Sequence, residues 1–201
     1  MLLLSATALA EPPRVVVALG DGVVVPPAAQ EAVAGGIAAV LADCLEERAP
    51  RRYSVVDRSA VGETVATARQ KLPEIAGLGP AWVVVTLGAR ELAGAEVDPA
   101  KVAAEVAGLA AELGGGRDRT VLLVGAVPSA GESSAAVAAR VDAFNQHLSA
   151  LGGAGIVALE PGRAGKRPKE TLVDGDRLSA AGQAKVAASI CDVVLSAPGA
   201  R

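Results

Sequence analysis

The sequence predicts an α/β fold: a three-layer α/β/α sandwich around a doubly wound, mainly parallel five-stranded sheet. Two observations predict this fold. Five short apolar runs are continuous rather than alternating, as expected for strands that are buried on both faces of a parallel sheet. Longer stretches with helical character separate the runs, so that strand and helix alternate along the whole chain.

The boundaries of these elements follow from the apolar runs and from capping signals. The predicted strands cover residues 15–19, 53–57, 82–87, 120–124 and 155–159, and the predicted helices cover residues 28–48, 64–75, 99–113, 135–151 and 179–195. Asp98 precedes Pro99 as a helix N-cap before a proline at the first helical position, and Ser179 can cap the last helix. Ligands bind such a sheet beyond the carboxyl ends of its strands, so we expect a site in the loops that follow the strands.

Length and composition indicate one ordinary domain. The chain has 201 residues, and we predict a single domain over residues 14–197, an N-terminal segment over residues 1–13 and a tail over residues 198–201. Its formal net charge is −3 with both signs interspersed, which argues against a nucleic-acid partner. No segment approaches the ~20 apolar residues that span a bilayer. We predict no transmembrane segment, no cofactor and no metal site.

The N-terminus is apolar from Leu2 to Ala10, and the small-x-small sequence Ala8-Leu9-Ala10 precedes Glu11. This pattern is typical of a signal-peptidase cleavage site. We therefore expect a signal-peptide remnant and export to the periplasm or medium. The alternative is a disordered N-terminus on a cytoplasmic protein.

Four loops at predicted strand ends carry recognisable motifs: "GDG" (20–22), "SAVGET" (59–64), "LGARE" (87–91) and "VDGDRLSAAG" (173–182). Their order and spacing resemble the GDSL or SGNH hydrolases, most closely the bacterial thioesterase/lysophospholipase branch. In that family the blocks read Gly-Asp-Ser, Gly before an acidic residue and Thr, Gly-x-Asn-Asp, and Asp-x-x-His. The resemblance extends over nearly all of residues 14–195, and it implies a flavodoxin-like sheet.

The family's catalytic residues do not carry over completely. The resemblance places the nucleophile at Gly22, the oxyanion-hole asparagine at Arg90 and the catalytic histidine at Arg177, while the triad acid is retained at Asp174 and the oxyanion-hole glycine at Gly62. Glycine has no hydroxyl, and a guanidinium stays protonated and cannot act as a general base. We expect the hydrolytic triad to be dismantled, so that the chain is a pseudoenzyme of the ester-hydrolase type.

Other hydroxyl and imidazole groups offer no replacement. The only histidine, His147, falls inside a predicted helix away from the strand ends, and we expect it at the surface. Ser59 and Thr64 lie near the expected cleft, but no base accompanies either residue. We interpret them as loop and capping hydroxyls.

Arg90 and Arg177 are expected to project toward one cleft that also contains Asp21. Arginine suits bidentate recognition of carboxylate or phosphate, so one hypothesis is a pocket for a small anionic ligand. The alternative is that the two arginines pair with neighbouring acids and fill the vacated site. The candidate partners are Asp21, Asp174 and Asp176 for Arg177, and Glu91 for Arg90.

A basic loop over residues 160–170 lies on the same predicted rim. Its cations are Arg163, Lys166, Arg167 and Lys169. The loop either meets an anionic glycan, lipid headgroup or acidic protein, or is an ordinary solvated loop.

The two cysteines, Cys44 and Cys191, fall on the first and last predicted helices. In a sheet of flavodoxin-like order these helices lie side by side. An oxidising compartment would favour a Cys44–Cys191 disulfide, and the alternative is two independent buried thiols.

Three function classes remain open. The first is a non-catalytic binding or scaffolding protein of the cell envelope, the second an active ester or thioester hydrolase with unorthodox residues, and the third a structural subunit of a larger assembly. The protein partner is unknown.

Overall fold

A computed structural model describes residues 11–21, 36–60, 62–114, 119–126, 134–151, 156–159, 172–173, 177–178 and 180–197. Five strands form one sheet: β1 (Arg14–Gly20), β2 (Tyr53–Asp57), β3 (Trp82–Thr86), β4 (Thr120–Val124) and β5 (Ile156–Leu159). Their order is β2-β1-β3-β4-β5, and every pairing is parallel. The predicted fold class is confirmed, and the strand order is that of flavodoxin-like sheets.

Seven helices accompany the sheet in the described part of the chain. They are α1 (Gly36–Arg48), α2 (Val65–Gln70), α3 (Leu72–Gly77), α4 (Ala89–Leu92), α5 (Pro99–Gly114), α6 (Ser134–Ser149) and α7 (Ala180–Ser196). Helices α2 to α6 pack on one side of the sheet, which we call the five-helix face. Helices α1 and α7 pack on the other side, which we call the two-helix face.

The strands supply both faces because successive side chains of a strand point in opposite directions. In β1, Val17 and Leu19 join the core of the five-helix face, whereas Val16 and Ala18 join that of the two-helix face. All four side chains are buried. Burial on both faces explains why the strands read as continuous apolar runs in the sequence.

The predicted helix over residues 64–75 is wrong in one respect, because the structure divides it into α2 and α3. Lys71 ends α2 and precedes α3, and Pro73 lies in the first turn of α3. A proline has no N–H to donate, so Pro73 cannot continue the hydrogen-bond ladder of α2, although the apolar periodicity of the sequence continues.

Three short elements add to the predicted set. Helix α4 follows β3 directly, and a two-stranded antiparallel pair joins β6 (Leu172–Val173) to β7 (Arg177–Leu178). Elements of two to four residues are too short for a periodic pattern to indicate them.

Several local predictions are confirmed. The Asp98 carboxylate accepts a hydrogen bond from the backbone N–H of Ala100 at 2.9 Å, as an N-cap does. His147 is exposed on α6. Within the described residues, no helix combines the length and the apolar character that crossing a bilayer requires.

The structure joins Cys44 of α1 to Cys191 of α7 by a disulfide, with 6.4 Å between the two Cα atoms. Of the two arrangements that the sequence left open for these cysteines, the structure contains the bridge. It links the two helices of the two-helix face across a sequence separation of 147 residues.

Candidate functional site

The carboxyl ends of β1, β2 and β3 are joined by backbone hydrogen bonds. The N–H of Asp21 donates to the carbonyl of Thr86 at 3.1 Å, and the N–H of Ala60 donates to the carbonyl of Gly20 at 3.1 Å. These bonds bring the loops that carry the first three motifs to one edge of the sheet. This is the edge at which ligands bind sheets of this topology.

Asp21 and Gly62 are in direct contact at this edge. The N–H of Gly62 donates to Oδ1 of Asp21 at 2.7 Å across a separation of 41 residues. Gly62 has φ +74°, in the left-handed region that favours glycine. The backbone donor that the resemblance assigns to an oxyanion hole is therefore engaged by the chain's own carboxylate.

Glu63, the next residue, is buried and pairs with Nζ of Lys71. The same ammonium group donates to the carbonyl of Arg58 at 2.7 Å. A buried carboxylate needs such a partner, because leaving a charge unpaired in the interior is costly. Through Lys71, Glu63 thus links the second motif to Arg58, the residue that follows β2, and to the end of α2.

Glu91 has a related role in the third motif. Its Oε1 accepts a hydrogen bond from the N–H of Val65 at 2.8 Å, which joins the loop after β3 to the first residue of α2. Its Oε2 is buried without a hydrogen-bond partner in the described structure.

Arg90 does not pair with Glu91, so that suggested pairing is wrong. The Arg90 side chain is exposed and has no hydrogen bond or ion pair with any described residue. The physical reason is that adjacent residues point in different directions from α4, and the Glu91 carboxylate is already bound to the α2 N-terminus. Among the described residues, no acid pairs with the Arg90 guanidinium.

The aromatic ring of Phe144, in α6, packs against the third motif at Gly88. A Cβ atom added to Gly88 would lie 2.6 Å from the Phe144 ring, and Gly88 has φ +108°. Glycine is therefore required at this position on two independent grounds. The only phenylalanine of the chain, fully buried, packs directly against Gly88, the N-cap of the helix that carries Arg90.

The loop after β4 is fixed by a side chain of the same helix. Asn145 of α6 accepts a hydrogen bond from the N–H of Ala126 and donates one to its carbonyl, both at 2.9 Å. Helix α6 thereby positions the loops that follow both β3 and β4.

The remaining predicted positions are described only in part. Gly22, Asp174 and Asp176 lie outside the described residues, as do the basic residues Arg163, Lys166, Arg167 and Lys169. For Arg177 the structure describes the backbone alone, which pairs with Val173 in the β6–β7 ladder. The pairing of Arg177 with a neighbouring acid stays a hypothesis.

The two candidate hydroxyls have different environments. Thr64 caps α2: its Oγ1 accepts from the N–H of Thr67 at 3.2 Å, and the Thr67 side chain accepts from the N–H of Thr64. The capping interpretation of Thr64 is confirmed. Ser59 donates its backbone N–H to Oδ1 of Asp57 at 2.9 Å, and its hydroxyl is buried with no described partner.

The described residues do not meet the requirements of a metal site. The described residues contain no group of three or more histidine, cysteine, aspartate or glutamate side chains that could hold an ion. The acids at the sheet edge instead accept hydrogen bonds from backbone N–H groups or pair with lysine.

Sequence comparison does not place the chain: no protein-family model matches it, and no curated protein matches its sequence. Solved structures do match. A lipase/acylhydrolase from Enterococcus faecalis superposes with a TM-score of 0.71 at 18% identity, covering 90% of this chain and 95% of the other. A catalytic mutant of an acetylxylan esterase from Geobacillus stearothermophilus gives 0.73 at 16%, covering 89% and 93%.

A third match is an α/β hydrolase enzyme from the metagenome of Lake Arreo, with a TM-score of 0.68, 19% identity and coverage of 92% and 97%. The three matches cover 89–92% of this chain at 16–19% identity, and what they share with it is the fold. The fold that the sequence resemblance implies is therefore confirmed. Activity is decided by the site rather than by the fold.

The supporting acids Glu63 and Glu91 were not singled out as functional residues from the sequence. A signal for them existed, because the second and third motifs of the family carry an acidic residue at these positions. Only their partners, Lys71 and the N–H of Val65, show that the acids hold the loops together.

Proposed function

We propose that this protein is a non-catalytic member of the GDSL/SGNH hydrolase superfamily that binds a small anion at the carboxyl edge of its sheet. One observation carries the proposal: the Arg90 side chain is exposed and has no described partner, in the position that the family gives to the oxyanion-hole asparagine. A guanidinium presents several fixed donors that match a carboxylate or a phosphate.

Loss of hydrolysis is supported by the chemistry of the replaced residues. Acyl transfer in this family requires a hydroxyl that an imidazole deprotonates, and Gly22 and Arg177 supply neither group. The Gly62 N–H, which would stabilise an oxyanion, donates to Asp21 instead. An incoming tetrahedral intermediate would have to displace that carboxylate to gain the hydrogen bond.

Hydrolysis is tested directly on the purified full chain. We expect no turnover of short-chain acyl esters or acyl thioesters above the rate in buffer, because the nucleophile and the base are both absent. The matched control is Asp174→Asn, which removes the retained triad acid. Turnover that this substitution abolishes would establish the alternative, an active hydrolase with unorthodox residues.

Anion binding is tested by titrating the protein with phosphate, sulfate and acetate and following heat release by calorimetry. We expect Arg90→Gln to weaken the binding of the preferred anion by roughly 10- to 100-fold, since a charge-assisted hydrogen bond contributes about 1.5–3 kcal/mol. Arg69→Gln is the matched control, because Arg69 is an exposed arginine that already pairs with Glu112. Equal binding by wild type and Arg90→Gln would exclude Arg90 from the site.

We further propose that the protein works in the cell envelope. The small-x-small sequence before Glu11 and the Cys44–Cys191 disulfide support this location, because disulfides persist in oxidising compartments. Amino-terminal sequencing of the protein from its native host is the test. We expect a mature chain that begins at Glu11, and a chain that retains Met1 would contradict export by this route.

A further inference from the structure

The two sulfur atoms of the disulfide have unequal surroundings. Cys191 is 0% exposed within the core of the two-helix face. Cys44 is only partly buried, at the margin of that core. A thiol from solvent therefore approaches the bridge more readily from the side of Cys44 than from that of Cys191, and access influences which sulfur of a disulfide is attacked.

A cation stands beside the buried sulfur. Nη1 of Arg48 lies 3.8 Å from Sγ of Cys191 and donates to Oδ1 of Asp192 at 2.5 Å. Arg48 belongs to the last turn of α1, one helical turn after Cys44, so the helix that carries the less buried cysteine also carries the cation. Negative charge that develops on Cys191 Sγ would be stabilised by this guanidinium.

We infer that Cys44 is a site of thiol–disulfide exchange, at which a small thiol or dithiol reductant attacks, with Cys191 as the leaving group. The reductant's thiolate forms a new S–S bond to Sγ of Cys44 after losing its proton to solvent. The Cys44–Cys191 bond breaks, and its electron pair stays on Sγ of Cys191 as a thiolate beside Arg48.

With a dithiol, the second thiolate of the reductant attacks its own sulfur in the mixed disulfide. This step releases Cys44 as a thiolate and closes the reductant into a cyclic disulfide. The protein bridge gains two electrons, and the dithiol is oxidised by the same two. The direction of attack follows from exposure, and the rate depends on the stability of the leaving thiolate.

The regiochemistry is tested on the intact protein with reduced glutathione. The reaction is stopped with acid, free thiols are alkylated in denaturant, and the peptides are analysed by mass spectrometry. We expect glutathione on the peptide that contains Cys44 and the alkyl group on the peptide that contains Cys191. Glutathione on Cys191, or equally on both cysteines, would overturn the assignment.

The role of Arg48 is tested by the rate at which a dithiol reduces the bridge. We expect Arg48→Met to slow reduction by roughly threefold because the leaving thiolate loses its cation, whereas Arg48→Lys retains most of the rate. Asp192→Asn should accelerate reduction, since the guanidinium no longer shares its charge with a carboxylate. Arg69→Met, which removes an exposed arginine from the opposite face, is the control and should react like wild type.

An unchanged rate for Arg48→Met would remove Arg48 from the mechanism. A parallel loss of rate in Arg69→Met would show a general electrostatic effect and would equally overturn its role. Circular dichroism of each variant establishes that the bridge is reduced in a folded protein.

Discussion

The helices on the two faces of the sheet are stabilised in different ways. On the five-helix face, the apolar core includes the fully buried Phe144 and the buried residues of α5, and no described disulfide links its helices. On the two-helix face, a smaller core lies beneath α1 and α7, and a disulfide joins these two helices. In the described structure, each face also has one exposed ion pair between helices: Arg48–Asp192 on the two-helix face and Arg69–Glu112 on the five-helix face.

The difference shows how a chain with few large side chains stabilises two layers of helices. Phe144, Tyr53 and Trp82 are its only aromatic residues; the phenylalanine lies in the core of the five-helix face and the other two lie in the core of the two-helix face. The face with fewer helices has the covalent link, which constrains the unfolded chain rather than adding contacts to the folded one. The five-helix face also supports the candidate site, because Phe144 and Asn145 hold the loops after β3 and β4.

The largest effect should come from removing the aromatic ring of the five-helix face. We expect Phe144→Ala to lower the free energy of unfolding by about 3–5 kcal/mol, because it leaves a cavity at a fully buried position. Urea denaturation followed by circular dichroism measures the loss. Phe144→Leu is the matched control and should cost clearly less, and a loss below about 1 kcal/mol in the alanine variant would contradict the packing account.

Opening the bridge of the two-helix face should have the next largest effect. We expect the double variant Cys44→Ala, Cys191→Ala to be less stable than the oxidised wild type by about 2–4 kcal/mol, because the unfolded chain loses a long-range constraint. Denaturation with and without a dithiol checks the cause. The reductant should destabilise wild type and leave the double variant unchanged, whereas an unaffected wild type would refute the contribution of the bridge.

The two surface ion pairs should have the smallest effect, and it should be similar on both faces. Double-mutant cycles with Arg48→Gln and Asp192→Asn, and with Arg69→Gln and Glu112→Gln, should each give a coupling energy below about 1 kcal/mol, because solvent screens exposed pairs. Added salt should lower both values. A coupling well above this limit on one face would mean that charge also distinguishes the two faces.

The sequence predicted the layers of the fold well and the candidate site less completely. Strands β2 and β4 have the predicted bounds, because their short apolar runs can be recognised without knowledge of their neighbours. The order of the motifs also predicted that Asp21, Gly62 and Arg90 follow the carboxyl ends of β1, β2 and β3. It could not show that Asp21 accepts the Gly62 N–H, or that Glu91 turns to Val65 and leaves Arg90 exposed.

The sequence by itself determined the five main strands, the class of fold and which chemical groups are missing. Gly22 has no hydroxyl and Arg177 no imidazole in any fold. Only the tertiary structure decided the partners, because each is a contact between segments distant in the chain: Gly62 with Asp21, Phe144 with Gly88, and Cys191 with Cys44. Periodicity is a local property of the backbone, whereas such contacts depend on how whole elements pack together.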